Sequence, residues 1–310
     1  MKQTFFFFLI MMLGVGSMLE ANDKKTKGKL VVEEEYSGIN KLDIIGHFFD
    51  IEVTGRGQEN ITLNIYASTE KGYKIDYKKN GNLLKIKVNV GFSLFTNPFA
   101  YYKMVLSVPL KTSIRIDNSA GNVQIENIKT KNCFVETSSG SIDLTGIDSR
   151  LDVKSTSGNS EIKQCQGDKK ISSSSGKISV IESPGKIISS SSSGSQYFQN
   201  IDSNIAAEAT SGTIRIKSFS GQLDLETSSG SQIGENVSLT DNSVFRSSSG
   251  NINIKFSDEM DNYSFDLKSS SGRLIAGSIK AERKLVSEKG KIMIKGNSSS
   301  GSQTYKSMVN

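Results

Sequence analysis

The chain has 310 residues, 35% of them hydrophobic and 23% charged, with no tryptophan, three prolines and a formal net charge of +6. That is enough apolar material for a core, while serine, at roughly one residue in six, stands far above ordinary usage. The basic excess is scattered singly among Asp and Glu, with no basic stripe and no interleaved stacking aromatics, which argues against a nucleic-acid partner.

Met1-Lys2 precedes an apolar run from Phe5 to Gly16 that is too short to span a bilayer. This is the pattern of a secretory signal peptide, expected over residues 1–21 with cleavage after Ala21. No cysteine adjoins that position to carry a lipid, and no later segment is apolar enough for a transmembrane helix. The protein is therefore expected to be exported, to the periplasm, the cell surface or the medium.

Residues 22–117 alternate in Leu42-Ile44, Phe49-Ile51-Val53, Ile61-Leu63-Ile65, Leu84-Ile86-Val88 and Met104-Leu106-Val108. Side chains two apart share one face of a strand, so this region is β. Asn80-Gly81-Asn82 between two such runs signals a hairpin. The region is expected to form less regular rungs, or a small sheet capping one end of the repeats that occupy the rest of the chain.

From residue 118 to 296 the chain repeats. Ser/Thr runs close on Gly121, Gly140, Gly158, Gly176, Gly194, Gly212, Gly230, Gly250, Gly272 and Gly290, at steps of 19, 18, 18, 18, 18, 18, 20, 22 and 18. A fixed register accompanies them: Ile125, Leu144, Ile162, Val180, Phe198 and Ile216 come four after the glycine, and Ile128, Ile147, Cys165 and Ile201 seven after. Each repeat thus carries two short strands with inward apolar residues, and stacked repeats share one interior. This predicts an all-β fold, a right-handed parallel β-solenoid with coils of about 18 residues. The hydroxyl residues three and one before each glycine continue the inward parity. They are expected to form ladders bonding between coils, and the glycine to turn the corner with positive φ. Residues 297–310 read as a polar C-terminal tail.

The opening Tyr36-Ser37-Gly38-Ile39-Asn40, the strand His47–Val53, Leu84-Lys85-Ile86, Val108-Pro109 and the iterated Ser-Gly-x-Ile-x-Leu coils resemble one family. It is the bacterial adhesin family of β-solenoid repeats, which includes the head GIN domain of auto-transporter adhesins. The resemblance spans about residues 31 to 296. It implies an envelope or surface location and a binding or scaffolding role toward a glycan, host matrix or cell-envelope component.

Little catalytic chemistry is legible. His47 is the only histidine, with no evident nucleophile near it in the sequence. Asp143 and Glu161 occupy the same outward position of adjacent coils, the best carboxylate pair available to a carbohydrate-active β-helix enzyme, but the coils lack the inserted loops that build a cleft. No metal, cofactor or catalytic site is assigned, and the expectation is a non-enzymatic protein, with such an enzyme or a periplasmic envelope-stress module as alternatives. Cys133 and Cys165 are expected to be buried free thiols, being nearly two coils apart. Outward rows are mixed and charged, unlike a flat Thr array. The candidate partner-contact loop is Gly91–Tyr102, whose Phe92, Phe95, Phe99, Tyr101 and Tyr102 either meet a ligand or close the rod as an apolar lid.

Overall fold

The computed structural model describes residues 28–68, 72–90 and 101–309. The expected signal peptide lies outside these residues. Apart from one 3-10 turn at Met260–Asn262, the regular structure described is strand, in two sheets of 15 and 14 strands. Through the repeats, each coil lays one strand in each sheet and pairs in parallel with its counterpart in the next coil. Ile142 meets Ser160, Ser160 meets Ile178 and Ile178 meets Gln196 in one sheet. In the other, Cys133 meets Leu151, Leu151 meets Lys169 and Lys169 meets Ile187. The fold is a parallel β-solenoid.

Period-2 alternation is the cause. Ile125, Leu144, Ile162, Val180, Phe198 and Ile216 are each at most 1% exposed, and burying an aliphatic side chain stabilises by about 1.5–3 kcal/mol. Two glutamines at inward positions hydrogen-bond across the interior through their amide nitrogens, while their side-chain oxygens are buried without a partner. Gln196 Nε2 donates to Ser191 Oγ (3.0 Å) and Glu208 O (2.5 Å), and Gln232 Nε2 to Thr227 Oγ1 (3.2 Å) and Arg246 O (2.5 Å).

Stacking order departs from chain order at both ends. The strands Lys41–Gly46 and Asp50–Arg56 lie between those at Leu83–Val90 and Tyr102–Pro109 on one side and Ser113–Ala120 and Val123–Glu126 on the other. Beyond them, Lys29–Tyr36, Ile61–Ala67 and Tyr73–Asn80 add antiparallel strands, the last forming the hairpin expected at Gly81. The N-terminal region is therefore both rungs and cap. At the other end Ile292–Ser298 and Gln303–Ser307 insert between Ser243–Ser247 and Ile252–Phe256 and the later-stacked Tyr263–Ser269 and Leu274–Ala276. Antiparallel strands Lys284–Ser287 and Ile279–Ala281 close that end. Antiparallel closure is one way to blunt an edge that would otherwise template aggregation.

Residues 297–310 are thus not a tail up to Ser307. Gly301, not Gly290, belongs to the glycine column: a Cβ on Gly301 would lie 1.9 Å from Gly250 O, whereas one on Gly290 would meet the backbone of Asn262. The polar composition of the segment hides strands whose inward positions hold Gln303 and Tyr305, both 0% exposed.

The corners also differ from expectation. Gly121 has the expected positive φ (107°), but Gly140, Gly158, Gly176, Gly194, Gly212, Gly230 and Gly250 do not. What excludes a side chain there is close approach, since a Cβ on any of them would sit 1.7–2.0 Å from the carbonyl oxygen of the preceding glycine in the column. Left-handed backbone comes six residues later, at Asn127 (φ 57°), Gln164 (52°), Glu182 (50°), Asn200 (54°), Ser218 (52°) and Asn236 (58°), with Gly146 (65°) in line. Asn tolerates that region better than most residues.

The serine three before the glycine is buried as expected but bonds within its own coil. Ser155 Oγ donates to Gly158 O (2.8 Å) and accepts from Gly158 N–H (3.0 Å), and Ser247 repeats this with Gly250. The residue one before the glycine faces solvent instead of the interior, as at Ser157, Ser175, Ser193, Ser229 and Ser249. Its N–H continues the ladder, Ser175 N to Thr156 O at 2.9 Å, which turns the hydroxyl outward.

Candidate functional site

The expected contact loop divides. Phe92, Phe95 and Phe99 lie outside the described residues. Tyr102 opens a strand and is buried, its ring stacked on Phe49 at 5.1 Å and edge-on to Tyr73 at 5.5 Å. Tyr102 is therefore core, not a contact residue, because its position in Tyr102–Pro109 has inward parity. Tyr101 is half-buried and exchanges two hydrogen bonds with Ser68, its N–H to Oγ (2.8 Å) and its carbonyl from Ser68 N–H (3.0 Å). Burial pushes its phenol up from the usual range, with Lys103 opposing.

His47, read as remote from any nucleophile, meets Ser119: the serine hydroxyl and His47 Nδ1 are in hydrogen-bond contact. The stacking of residues 41–56 against 113–120 makes this pair, which no local spacing could reveal. Among the described residues no carboxylate hydrogen-bonds to His47, so the pair lacks the orienting third group of a hydrolytic triad.

Asp143 and Glu161 are register partners on the outer face, as their spacing predicts. Lys163 Nζ pairs with Glu161. Burial, then Glu161, raises the Asp143 carboxyl, with Lys163 opposing. No cluster of three or more His, Cys, Asp or Glu suited to a metal ion occurs among the described residues. Cys133 and Cys165 are free and buried. Burial, with Cys165 nearby, pushes the Cys133 thiol up to about 12, and burial raises Cys165 as well, so both stay protonated and poorly nucleophilic.

One buried ionisable group escaped the sequence reading. Lys169 occupies an inward row between Leu151 and Ile187 and is 2% exposed. Its Nζ donates to Gly167 O (2.7 Å) and Pro184 O (2.6 Å). Burial pushes its ammonium down to about 8 from 10.5, against the attraction of Cys165 and Asp168. Between these values the unfolded chain holds a proton that the folded chain has released, so this group makes stability rise with pH. The stability of the wild type relative to Lys169→Met is expected to climb from pH 7 to pH 10, by up to about 3 kcal/mol. Urea denaturation of both proteins at the two pH values measures it, and a constant difference would contradict the assignment.

Outside the core, the most regular feature is the narrow edge before the glycines. Each of nine stacked coils exposes two successive hydroxyl residues there, from Ser138-Ser139 through Thr156-Ser157, Ser174-Ser175, Ser192-Ser193, Thr210-Ser211, Ser228-Ser229, Ser248-Ser249 and Ser299-Ser300 to Ser270-Ser271. Neighbours in such a column are about 4.8 Å apart. A shallow groove runs beside the edge, with Ser172, Ser190, Glu208 and Glu226 along its outer side. No helix of the described residues is long and apolar enough to cross a membrane.

A stack of parallel coils closed by a glycine column invites comparison with known families, and the sequence profile of Toastrack DUF4097 matches residues 39–195 and 200–307. The chain belongs to the Toastrack family. This supports the β-repeat family expected above but not the head GIN detail. No curated protein sequence matches. Among solved structures, a putative lipid binding protein from Parabacteroides distasonis is 15% identical at a TM-score of 0.37, with 88% of this chain and 96% of that one covered. A putative adhesin from Bacteroides fragilis is 14% identical at 0.32, covering 91% and 98%, and a putative cell adhesion protein from Clostridium sporogenes is 10% identical at 0.29, covering 90% and 100%. At these identities and TM-scores their names carry no argument for this Toastrack chain.

Proposed function

We propose that this Toastrack protein is an exported, non-enzymatic rod that presents a long repetitive surface for adhesion or for scaffolding in the cell envelope. The observation that carries the reading is the doubled hydroxyl edge, repeated at the coil spacing over nine coils, in a chain whose repeats from Gly121 to Gly250 hold 18 to 20 residues without the inserted loops an active-site cleft needs. Such an edge offers the same donor and acceptor pair at every step, which suits a repetitive polymer better than a single small molecule. The apolar run Phe5–Gly16 behind Met1-Lys2 supports export. A partner among glycans, host matrix or cell-envelope components fits this surface, and the loop of residues 91–101 remains a second contact candidate.

The test is protease accessibility on intact cells, with a periplasmic marker as control and the medium assayed in parallel. Cleavage on intact cells, or release to the medium, is the expected result. Full protection until the envelope is opened would overturn the adhesin reading in favour of a periplasmic scaffold.

A further inference from the structure

The outer face of the sheet that follows the glycine column changes sign along the rod. Its central outward row runs Asp143, Glu161, Ser179, Tyr197, Arg215 and Ile233, each beside the next in register. The row one residue past the glycine, flanking it, holds Lys177, Ser195, Thr213 and Ser231. Around Tyr197 these two rows enclose a groove. Lys177 Nζ stands 5.4 Å from the centre of the Tyr197 ring, and the Tyr197 hydroxyl donates to Gln199 Oε1, which holds the ring in place. Lys177 and Arg215 form no ion pair among the described residues, and the hydroxyls of Ser195, Thr213 and Ser231 make no hydrogen bond there; an ion pair of this sheet face lies two coils from Tyr197, at Lys163–Glu161.

Two cations without a carboxylate partner, the aromatic ring that Lys177 overlies and a line of hydroxyls without hydrogen bonds form a complementary set. A guanidinium binds carboxylate or sulfate through charge-assisted hydrogen bonds. An aromatic ring takes the apolar face of a sugar, and hydroxyls spaced about 4.8 Å apart recur at close to the length of one pyranose. A nucleic acid would need a longer basic track and further stacking rings, and Glu161 and Glu235 flank this patch instead. We propose that the Tyr197 groove binds an acidic polysaccharide, one pyranose on the Tyr197 ring and its anionic group on Arg215 and Lys177. The proposal deepens the adhesive reading and rests on it for its biological setting.

The experiment is calorimetric titration of the whole mature chain with a uronic-acid tetrasaccharide, a neutral glucose tetrasaccharide and a single-stranded DNA oligonucleotide. Expected are salt-sensitive binding of the acidic saccharide alone, a loss of tenfold or more in affinity for Arg215→Gln and for Tyr197→Ala, and retention in Lys170→Gln on the opposite sheet. Unchanged thermal unfolding of the variants would show that the loss is local. No binding by the folded wild type, equal binding of the neutral saccharide, tighter binding of DNA, or indifference to Arg215→Gln would each overturn the proposal. Surface display is measured separately on cells, so a displayed protein that ignores the acidic saccharide sinks only this proposal. A protein confined to the periplasm that binds it sinks only the adhesive reading.

Discussion

A chain ending at Ser298 is expected to lose its C-terminal coils, where removal of a mere tail would change nothing. The strand Gln303–Ser307 sits between Ile252–Phe256 and Leu274–Ala276, bonded to both. Without it the two strands have no common neighbour, and their inward side chains face an open slot. Tyr305 fills that slot: fully buried, its ring lies 5.7 Å from Phe245, 5.6 Å from Phe265 and 6.3 Å from Phe256. Loss of one such ring from a core costs about 3–5 kcal/mol. The truncation also removes Gln303, whose Nε2 reaches Lys268 O (2.8 Å) and Ser298 Oγ (3.0 Å) across the interior. Because each coil touches only its neighbours, the damage should stay local. Hydrogen exchange is expected to show residues 263–298 unprotected and residues 123–216 protected as in the full chain. Full protection of 263–298 after truncation would mean that the C-terminal strand contributes nothing.

The second large effect is expected from a single methyl group. Gly176→Ala places a Cβ 1.8 Å from Gly158 O and 2.5 Å from Gly158 C. Neither is the end of a flexible side chain, so the coils must part or shift, and the corner ladder from Ser175 N to Thr156 O goes with them. Overpacking of a well-packed interior costs about 1–3 kcal/mol, and backbone against backbone belongs at or above the top of that range. The expected loss is therefore at least about 3 kcal/mol, read as a fall in the urea midpoint with little change in slope. Gly57→Ala is the control, since a Cβ there meets nothing within 4 Å, and it should stay within about 0.5 kcal/mol of wild type. Equal behaviour of the two variants would show that the column tolerates side chains and that the glycines answer to something other than packing.

Several features were legible because they are local. The pair Ile142-Leu144, repeated as Ile178-Val180 and Ile214-Ile216, states both the strand and its buried face, since residues two apart must share a side. The Ser/Thr run that closes on glycine marks a corner, and its 18-residue recurrence states which strand stacks on which. Asp143 beside Glu161 and the hairpin at Gly81 come from the same counting. The candidate surface was only half legible: mixed outward rows were visible, but a patch such as Lys177, Tyr197 and Arg215 is scattered over three coils and takes its meaning from the flanking hydroxyl row.

By itself, then, the sequence determined the all-β class, the parallel stacking of coils and the inward parity, because alternation and period are properties of neighbouring residues and of one repeat. Only the tertiary structure decided what depends on distant segments meeting. It inserted residues 292–307 one coil in from the end, and 41–56 likewise at the other end, since a strand edge accepts any parallel partner of matching parity wherever that partner lies in the chain. The serine before each glycine turned outward, its N–H bonded to a carbonyl of the preceding coil. From Gly140 to Gly250 the glycines proved necessary for contact between coils and not for their own φ. Lys169 entered an apolar row because the carbonyls of Gly167 and Pro184, two residues before it and fifteen after, converge on its ammonium, a geometry that exists only after the coils have stacked.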